Sequence, residues 1–413
     1  MIGLMDCNNF FVSCERLFRP DLLKKPVAVL SSNDGCIVAR SQEIKDLGVP
    51  MGVPYFQVRD VCDKAGAVLF SSNFTLYRDI SARVMHTLTS EVGECEVYSI
   101  DEAFFEVSDT ITQDEVMAIR LRVMKNVGLP VSIGVAKTKT LAKQASAMAK
   151  KITNGICILT LDDQEHINNA PCSSVWGLGR QTSTKLREMG VTTIGEYIAL
   201  DRAVVRRDFG IAGERVYNEL QGTVVYGLGH NSEDIRKSIT SSRSFEKTTN
   251  NLANLESAVA YHVTSVAEKL REKKLVASRV YVTMQASRHG DFFLRNTSTE
   301  IVLTLPTSST NDLLTEVLAR VRTLYDPEVP YKKVGVTLGG LMPESYVTTT
   351  LFGVSMKDED MNIDAVTDSI NEKFGHGTLR SGVIFAGATR SSAKLRSKEY
   401  TTHWEDIPSV GAK

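Results

Sequence analysis

Apolar residues cluster in short runs separated by turn signals, with longer stretches of helical periodicity between them. Residues 2–5 (Ile-Gly-Leu-Met) form a short apolar run that leads straight into Asp6. Residues 96–107 (EVYSIDEAFFEV) are rich in β-branched and aromatic side chains, which predicts a strand. Strands are also predicted at 26–30 and 36–39, joined by the turn signal Ser31-Ser32-Asn33-Asp34-Gly35, and at 130–136. A short helix begins at Arg40 and stops at Gly48, with Pro50 beyond it. Tyr77, Ile80, Val84 and Leu88 recur at helical spacing, and further helices are predicted at 113–125 and 138–151. This order suggests an α+β sandwich with helices on one sheet face. Small helices continue to about 221, and the polar stretch 228–242 reads as a linker. A strand at 242–245, a helix at 252–274, strands at 278–284 and 300–305, a helix at 311–325 and a strand at 333–338 follow. The order β-α-β-β-α-β is that of a separate small α/β domain. After Pro343 the pattern is patchy, as in a partner-binding tail with short helical pieces. It has an acidic spot at Asp358-Glu359-Asp360 and basic residues at Arg390, Lys394, Arg396 and Lys398.

Two acids break the apolar pattern inside the 96–107 run. Asp101 and Glu102 stand side by side, which is costly to bury unless a cation meets them. A divalent metal suits carboxylate oxygens, and an acidic hairpin turn is the plainer alternative. Asp6 sharpens the first reading. Two strands that deliver carboxylates to one point would match a two-metal phosphoryl-transfer centre, where the ions lie roughly 3.5–4 Å apart.

Cations recur nearby. Arg40 and Lys45 can hold a polyphosphate, or simply form a solvated face. In helix 138–151 the apolar stripe is Leu141, Ala145, Met148 and Ile152, with Lys139, Lys143 and Lys150 on the other side. That lysine row suits a triphosphate or a nucleic-acid backbone, and a solvated helix face is the alternative. Val175-Trp176-Gly177-Leu178-Gly179-Arg180 leads into a helix, as in a helix-hairpin-helix. Gly177 and Gly179 allow close backbone approach, and Arg180 with the helix N-terminus favours phosphate. A corner used only for packing is the alternative.

Composition adds limits. The 413 residues suffice for two to four domains, and 42% hydrophobic with 23% charged content is ordinary for a soluble protein. A net charge of −1 confines any nucleic-acid surface to a local patch; in the small α/β domain that is one edge of the sheet. The seven cysteines include no CxxC pair, which suggests reduced thiols and a cytoplasmic protein. Asp6 and Asn8-Asn9 interrupt any signal-peptide core, and no apolar run approaches the ~18 residues of a membrane span.

Taken together, the motifs resemble a known family. Asp6-Cys7-Asn8-Asn9-Phe10-Phe11-Val12-Ser13-Cys14-Glu15 resembles the opening motif of Y-family translesion DNA polymerases. Tyr98-Ser99-Ile100-Asp101-Glu102-Ala103-Phe104 is similar to their second catalytic motif. Ser132-Ile133-Gly134-Val135-Ala136 with Thr138-Lys139-Thr140-Leu141-Ala142-Lys143 is similar to the third. The resemblance covers nearly the whole chain, and Tyr400-Thr401-Thr402-His403-Trp404 with residues 31–45 points to the UmuC branch, that of the catalytic subunit of DNA polymerase V.

The resemblance implies a right-hand polymerase of multidomain α+β class. Its ferredoxin-like palm would be residues 1–10 and 71–165, its small fingers 11–70 and its helical thumb, with the helix-hairpin-helix, 166–230. A linker at 231–242, an α/β little finger at 243–342 and a C-terminal partner-binding tail at 343–413 would follow. It implies error-prone synthesis opposite damaged bases in SOS mutagenesis, with deoxynucleoside triphosphates as substrates. Asp6, Asp101 and Glu102, helped by the carbonyl of Cys7, would hold two Mg²⁺ ions. Phe10, Phe11, Arg40, Lys45 and Lys150 would bind the nucleotide; Phe11 falls on the sugar-excluding steric-gate position, where close relatives have Tyr. Implied partners are primer-template DNA, a UmuD′-type dimer, a RecA-type filament and a sliding clamp. In the clamp peptide only the apolar anchor Leu351-Phe352 remains, without the usual glutamine. A nucleotidyl cyclase could share the acid pair, but the hairpin and little finger argue against it. Against a catalytically silent DNA-binding scaffold at stalled forks stand the three intact acids.

Overall fold

The computed structural model describes residues 1–160, 163–229, 237–287, 296–346, 358–385 and 393–409. The chain divides into two compact units. The first is Met1–Ser232 together with Ala393–Lys413, and the second is Glu233–Ser392.

In the first unit the chain runs β1 (Ile2–Cys7), α1 (Phe10–Phe18), β2 (Val27–Leu30), β3 (Ile37–Arg40), α2 (Gln42–Asp46), α3 (Tyr55–Lys64) and β4 (Val68–Ser71). It continues with α4 (Phe74–Val92), β5 (Cys95–Val97), β6 (Glu102–Glu106), α5 (Gln113–Val127), β7 (Val131–Ala136), α6 (Lys139–Ala149) and β8 (Ile156–Ile158). Small helices complete it: α7 (Gln164–Asn168), α8 (Arg180–Glu188), α9 (Ile194–Ile198) and α10 (Arg202–Leu220).

β1 is the centre of a five-stranded sheet of order β5-β6-β1-β7-β8. It pairs antiparallel with β6 on one side and β7 on the other. Every residue of β1 and β7 is buried, the mark of a sheet covered on both faces. Alternation along the strands sorts the side chains. Met5, Cys7 and Phe105 share one apolar cluster with Leu76, Ile80, Val84 and Leu88 of α4 and Val116 and Val123 of α5. Ile2, Leu4 and Phe104 share another with Leu141, Ala142 and Ala145 of α6. The expectation of helices on one face only is therefore corrected: α4 and α5 lie on one side, α6 on the other. α6 sits so close that a Cβ built on Gly134 of β7 would lie 2.0 Å from the backbone nitrogen of Ser146.

The 96–107 run is a hairpin rather than one strand. β5 and β6 pair antiparallel, and the amides of Tyr98 and Ser99 both donate to the Glu102 carbonyl, at 3.0 and 3.1 Å. Ser99 Oγ donates to Asp101 Oδ1 at 2.6 Å. Ser and Asp favour such turns because their side chains bond local backbone, and Asp101 Oδ1 and Ser99 close this one. A smaller sheet of order β3-β2-β4 carries α2 and α3 against Ala28, Leu30 and Ile37.

The second unit is β9 (Ser238–Thr249), α11 (Leu252–Glu272), β10 (Leu275–Ala286), β11 (Asn296–Thr307), α12 (Thr310–Leu324), β12 (Tyr331–Pro343) and α13 (Asp358–Phe374). Its antiparallel sheet has the order β11-β10-β12-β9. The β-α-β-β-α-β order is as expected, but the strands run longer than their apolar alternation suggests. β9 starts at Ser238, inside the stretch read as linker; residues 231–236 lie outside the described residues. Strand pairing continues through serines and threonines that carry no hydrophobic signal.

The stretch after Pro343 is more structured than a loose tail. α13 is anchored by Arg271, which pairs with Asp364 at 3.3 Å and Asp368 at 2.7 Å. Residues 393–409 belong to the first unit. Leu351, Phe352 and Arg390 lie outside the described residues. Among the described residues no helix is long and apolar enough to cross a membrane.

Candidate active site

The register of β1 and β6 sets Asp6 directly opposite Glu102. Cross-strand partners point to the same face, so two carboxylates are neighbours there, which is repulsive unless compensated. The face they share is the one α6 covers, and α6 supplies the compensation. Lys150 Nζ, at the helix end, lies 2.5 Å from Asp6 Oδ2. Lys143 Nζ lies 3.3 and 3.1 Å from the two Glu102 oxygens. Lys139 is buried with Glu96, at 2.7 Å. Lys139 and Lys143 are packed onto acids rather than forming a solvated helix face, while Lys150 pairs with Asp6 from an exposed position.

Asp101 stands at the end of the hairpin turn, where its carbonyl accepts the amide of Cys7 at 2.9 Å. Burial pushes the Asp6 carboxyl from its ordinary 3.8 up to about 7. Lys150 pulls it down, and Glu102 adds to the rise. Burial, with Asp6 and Asp101 close by, also pushes the Cys7 thiol well up. All seven cysteines are free.

Asp6, Glu102, Lys45, Lys143 and Lys150 line one open cleft of about 660 Å³, with Asn8, Asn9, Lys151 and Trp176. Lys45 Nζ donates to Asn9 Oδ1 at 2.6 Å. Burial lowers the Lys45 ammonium, and Arg40 and Lys150 push it further the same way. These three cations repel one another, which is the electrostatic state an anion would relieve. Arg40 itself donates to the carbonyl of Val49 and is not a lining residue.

The two phenylalanines separate. Phe10 is 3% exposed and belongs to the core. Phe11 stacks on Tyr77, with centroids 4.5 Å apart and planes 13° from parallel, and meets Phe74 edge-on at 5.7 Å. Gly177 has φ 93, which favours glycine, and a Cβ there would lie 2.6 Å from Val216. Gly179 precedes α8 with open space around its Cα, and Arg180 opens the helix.

The sequence reading missed an aromatic clasp. Trp176 Nε1 donates to the Tyr98 hydroxyl at 2.9 Å, and Lys143 Nζ lies 4.5 Å from the centre of the Tyr98 ring. Their one signal was position: Tyr98 precedes the acidic turn, and Trp176 precedes Gly177.

Among the described residues no three His, Cys, Asp or Glu side chains form a ready-made metal centre. The donor chemistry nevertheless fits a hard divalent cation. Two carboxylates face each other, Asp6 buried and Glu102 half-buried, burial raises the Asp6 carboxyl, and ammonium groups supply the positive charge.

Comparison with known proteins places this geometry. Residues 5–147 match the impB/mucB/samB family and residues 236–351 its C-terminal domain. Residues 362–410 match a domain of unknown function. The chain is 34% identical to the protein UmuC of Salmonella typhimurium, covering 98% of this chain and 99% of that one. It is 33% identical to the protein SamB of Salmonella typhimurium, covering 99% of each. A DNA polymerase IV of Bacillus subtilis is 29% identical over 92% of this chain and 91% of its own. A solved chimeric Y-family DNA polymerase shares the fold, with a TM-score of 0.67 at 20% identity, covering 83% of this chain and all of that one. The chain belongs to the impB/mucB/samB family, within the UmuC branch of the Y-family DNA polymerases.

Proposed function

We propose that this DNA-directed DNA polymerase inserts deoxynucleotides opposite damaged template bases, in SOS damage tolerance. The observation that carries the reading is the register of Asp6 against Glu102 at the floor of a lysine-lined cleft. Asp6, Asp101 and Glu102, with the carbonyl of Cys7, would hold two magnesium ions, whose chemistry is to activate the primer hydroxyl and neutralise charge on the transferring phosphoryl group.

The chain's own residues do the positioning. Lys45 and Lys150, with Arg40 behind them, bind the triphosphate, which relieves their mutual repulsion. Lys150 and Lys143 compensate the carboxylates in the free protein. Phe11, held flat on Tyr77, packs against the incoming sugar and leaves no room for a 2′-hydroxyl. The amides at the start of α8, with Gly177, Gly179 and Arg180, grip the DNA backbone without reading its sequence. In this reading residues 1–10 and 71–165 are the palm, 11–70 the fingers and 166–230 the thumb. Residues 243–342 are the little finger, after a linker at 231–242, and 343–413 the partner-binding tail. A UmuD′-type dimer, a RecA-type filament and a sliding clamp engaging Leu351 and Phe352 are the matching partners.

Primer extension across an abasic site tests the reading, with Mg²⁺, the four deoxynucleotides, a recombinase filament and a UmuD′-type partner. Extension by the wild type and none by Asp101→Ala is the expected result. If neither extends while both bind primer-template equally, the acids are structural and the chain is a scaffold.

A further inference from the structure

Residues 393–409 form a strap across the first unit. The Ser71 amide donates to the Leu395 carbonyl and the Leu395 amide to Ser71 Oγ, each at 3.0 Å. Asn73, the N-cap of α4, donates from Nδ2 to the Ser397 carbonyl, Ser397 Oγ and the Lys398 carbonyl, at 3.1, 3.0 and 3.1 Å. The Tyr400 ring stacks on Phe18, with centroids 4.6 Å apart. None of these strap residues lines the cleft.

The strap nevertheless reaches a buried acid. Glu15, in the second turn of α1, is 0% exposed. Its Oε1 accepts from the Tyr77 hydroxyl at 2.6 Å and from Ser397 Oγ at 2.9 Å. Its Oε2 is also buried and, among the described residues, accepts no hydrogen bond. Burial pushes this carboxyl up against the two hydrogen bonds that hold it down. Ser397 can donate only one hydrogen, and the Asn73 amide occupies its acceptor side, so that hydrogen is committed to Glu15. Tyr77 in turn carries the Phe11 ring flat on its own. The contacts therefore run Ser397, Glu15, Tyr77, Phe11.

We propose that the strap is a positioning element for sugar selection: Ser397, through Glu15 and Tyr77, holds the plane of the Phe11 ring. The proposal rests on the reading of Phe11 as the ring that meets the incoming sugar. Glu15 receives two donors, both on Oε1, so losing one of the two leaves the acid short. The Tyr77 hydroxyl then becomes the only donor and follows the carboxylate as it relaxes. A ring shifted by a fraction of an ångström no longer excludes a 2′-hydroxyl, although deoxynucleotides still fit.

The test uses the full chain, with Mg²⁺, a recombinase filament and a UmuD′-type partner, in single-nucleotide incorporation with each deoxynucleotide and its ribonucleotide. The readout is the ratio of the two kcat/KM values. Ser397→Ala keeps deoxynucleotide incorporation and narrows the ratio roughly tenfold or more, as expected of a displaced contact. Ser397→Thr restores the ratio, and Tyr77→Phe, which removes the hydroxyl and keeps the ring, narrows it as well. An unchanged ratio in Ser397→Ala and Tyr77→Phe overturns the proposal. So does an equal loss of both activities, which marks a general loss of structure. A wild-type protein that incorporates no deoxynucleotide overturns the polymerase reading, and the proposal falls with it.

Discussion

In the five-stranded sheet, helices lie on both faces and every residue of β1 and β7 is buried. In the four-stranded sheet, α11 and α12 pack on one face, and β10 alternates buried Val280, Val282 and Met284 with more exposed Tyr281, Thr283 and Gln285. Its second face reads across the strands as Thr240, Thr337, Tyr281 and Glu300, then Ser242, Gly335, Thr283 and Ser298. Hydroxyls and glycines dominate it. Tyr281 and Arg279 both hold Glu300, at 2.9 and 3.0 Å. A polar group on the open face can bond water and needs no protein partner. A carboxylate under α6 must find a cation, so the helix that seals the sheet brings lysines. The costly charges, and the chemistry they permit, collect where water is excluded.

The largest expected effect falls on the sealed sheet. Asp6→Asn lowers single-turnover nucleotide incorporation by at least about a thousandfold, the scale of several kcal/mol of charge stabilisation; near-wild-type rates would remove Asp6 from the chemistry. Gly134→Ala drives a methyl group into the α6 backbone and destabilises the first unit by about 3 kcal/mol, the top of the usual overpacking range. Urea unfolding followed in the first unit measures it, and an unchanged midpoint would mean that α6 is free to move.

Lys139→Ala takes the ammonium away from the largely buried Glu96 and costs about 3 kcal/mol. A loss below about 1 kcal/mol, the range of exposed pairs, would show that this pair is solvated after all. A pH series gives a smaller effect. Because folding raises the Asp6 carboxyl from 3.8 to about 7, the folded state holds that proton more tightly than the unfolded state. Stability in metal-free buffer therefore falls as pH rises through that window. Asp6→Asn lacks this fall, so the two Tm curves should diverge toward neutral pH; parallel curves would refute the assignment. The smallest effect belongs to the open sheet. Thr337→Val breaks the 2.9 Å hydroxyl pair with Thr240 and should change stability by no more than about 0.5 kcal/mol.

Much of this was legible in the sequence, for identifiable reasons. The buried strands at Asp6 and 130–136 and the long helices announced themselves by periodicity, because packing against a core imposes it. The acids were legible because a charge in an apolar run is a contradiction that only a site resolves. Which lysine meets which acid was not, since Lys143 and Lys150 reach Glu102 and Asp6 only after β6, β1 and α6 are stacked. Phe10 and Phe11 looked alike as neighbours, yet a helix turns successive side chains by 100°, and one went to the core. Strand ends at Ser238 and Asn296 were hidden because serines and asparagines carry no apolar signal. Residues 393–409 were hidden for a related reason: the strap is held by hydrogen bonds from Ser71 and Asn73 and by one ring stack, not by an apolar stripe.

The strap also sets a clock. Glu15 and Ser397 are 382 positions apart, and at about 5–20 residues per second a ribosome needs roughly 20–80 s to travel between them. For the part of that interval after Lys150, the nascent first unit contains its acids and its lysines, while Glu15 has Tyr77 and not yet Ser397. A product that stops anywhere inside the second unit never receives its second donor. The finished geometry around Phe11 thus reports that translation has passed Ser397.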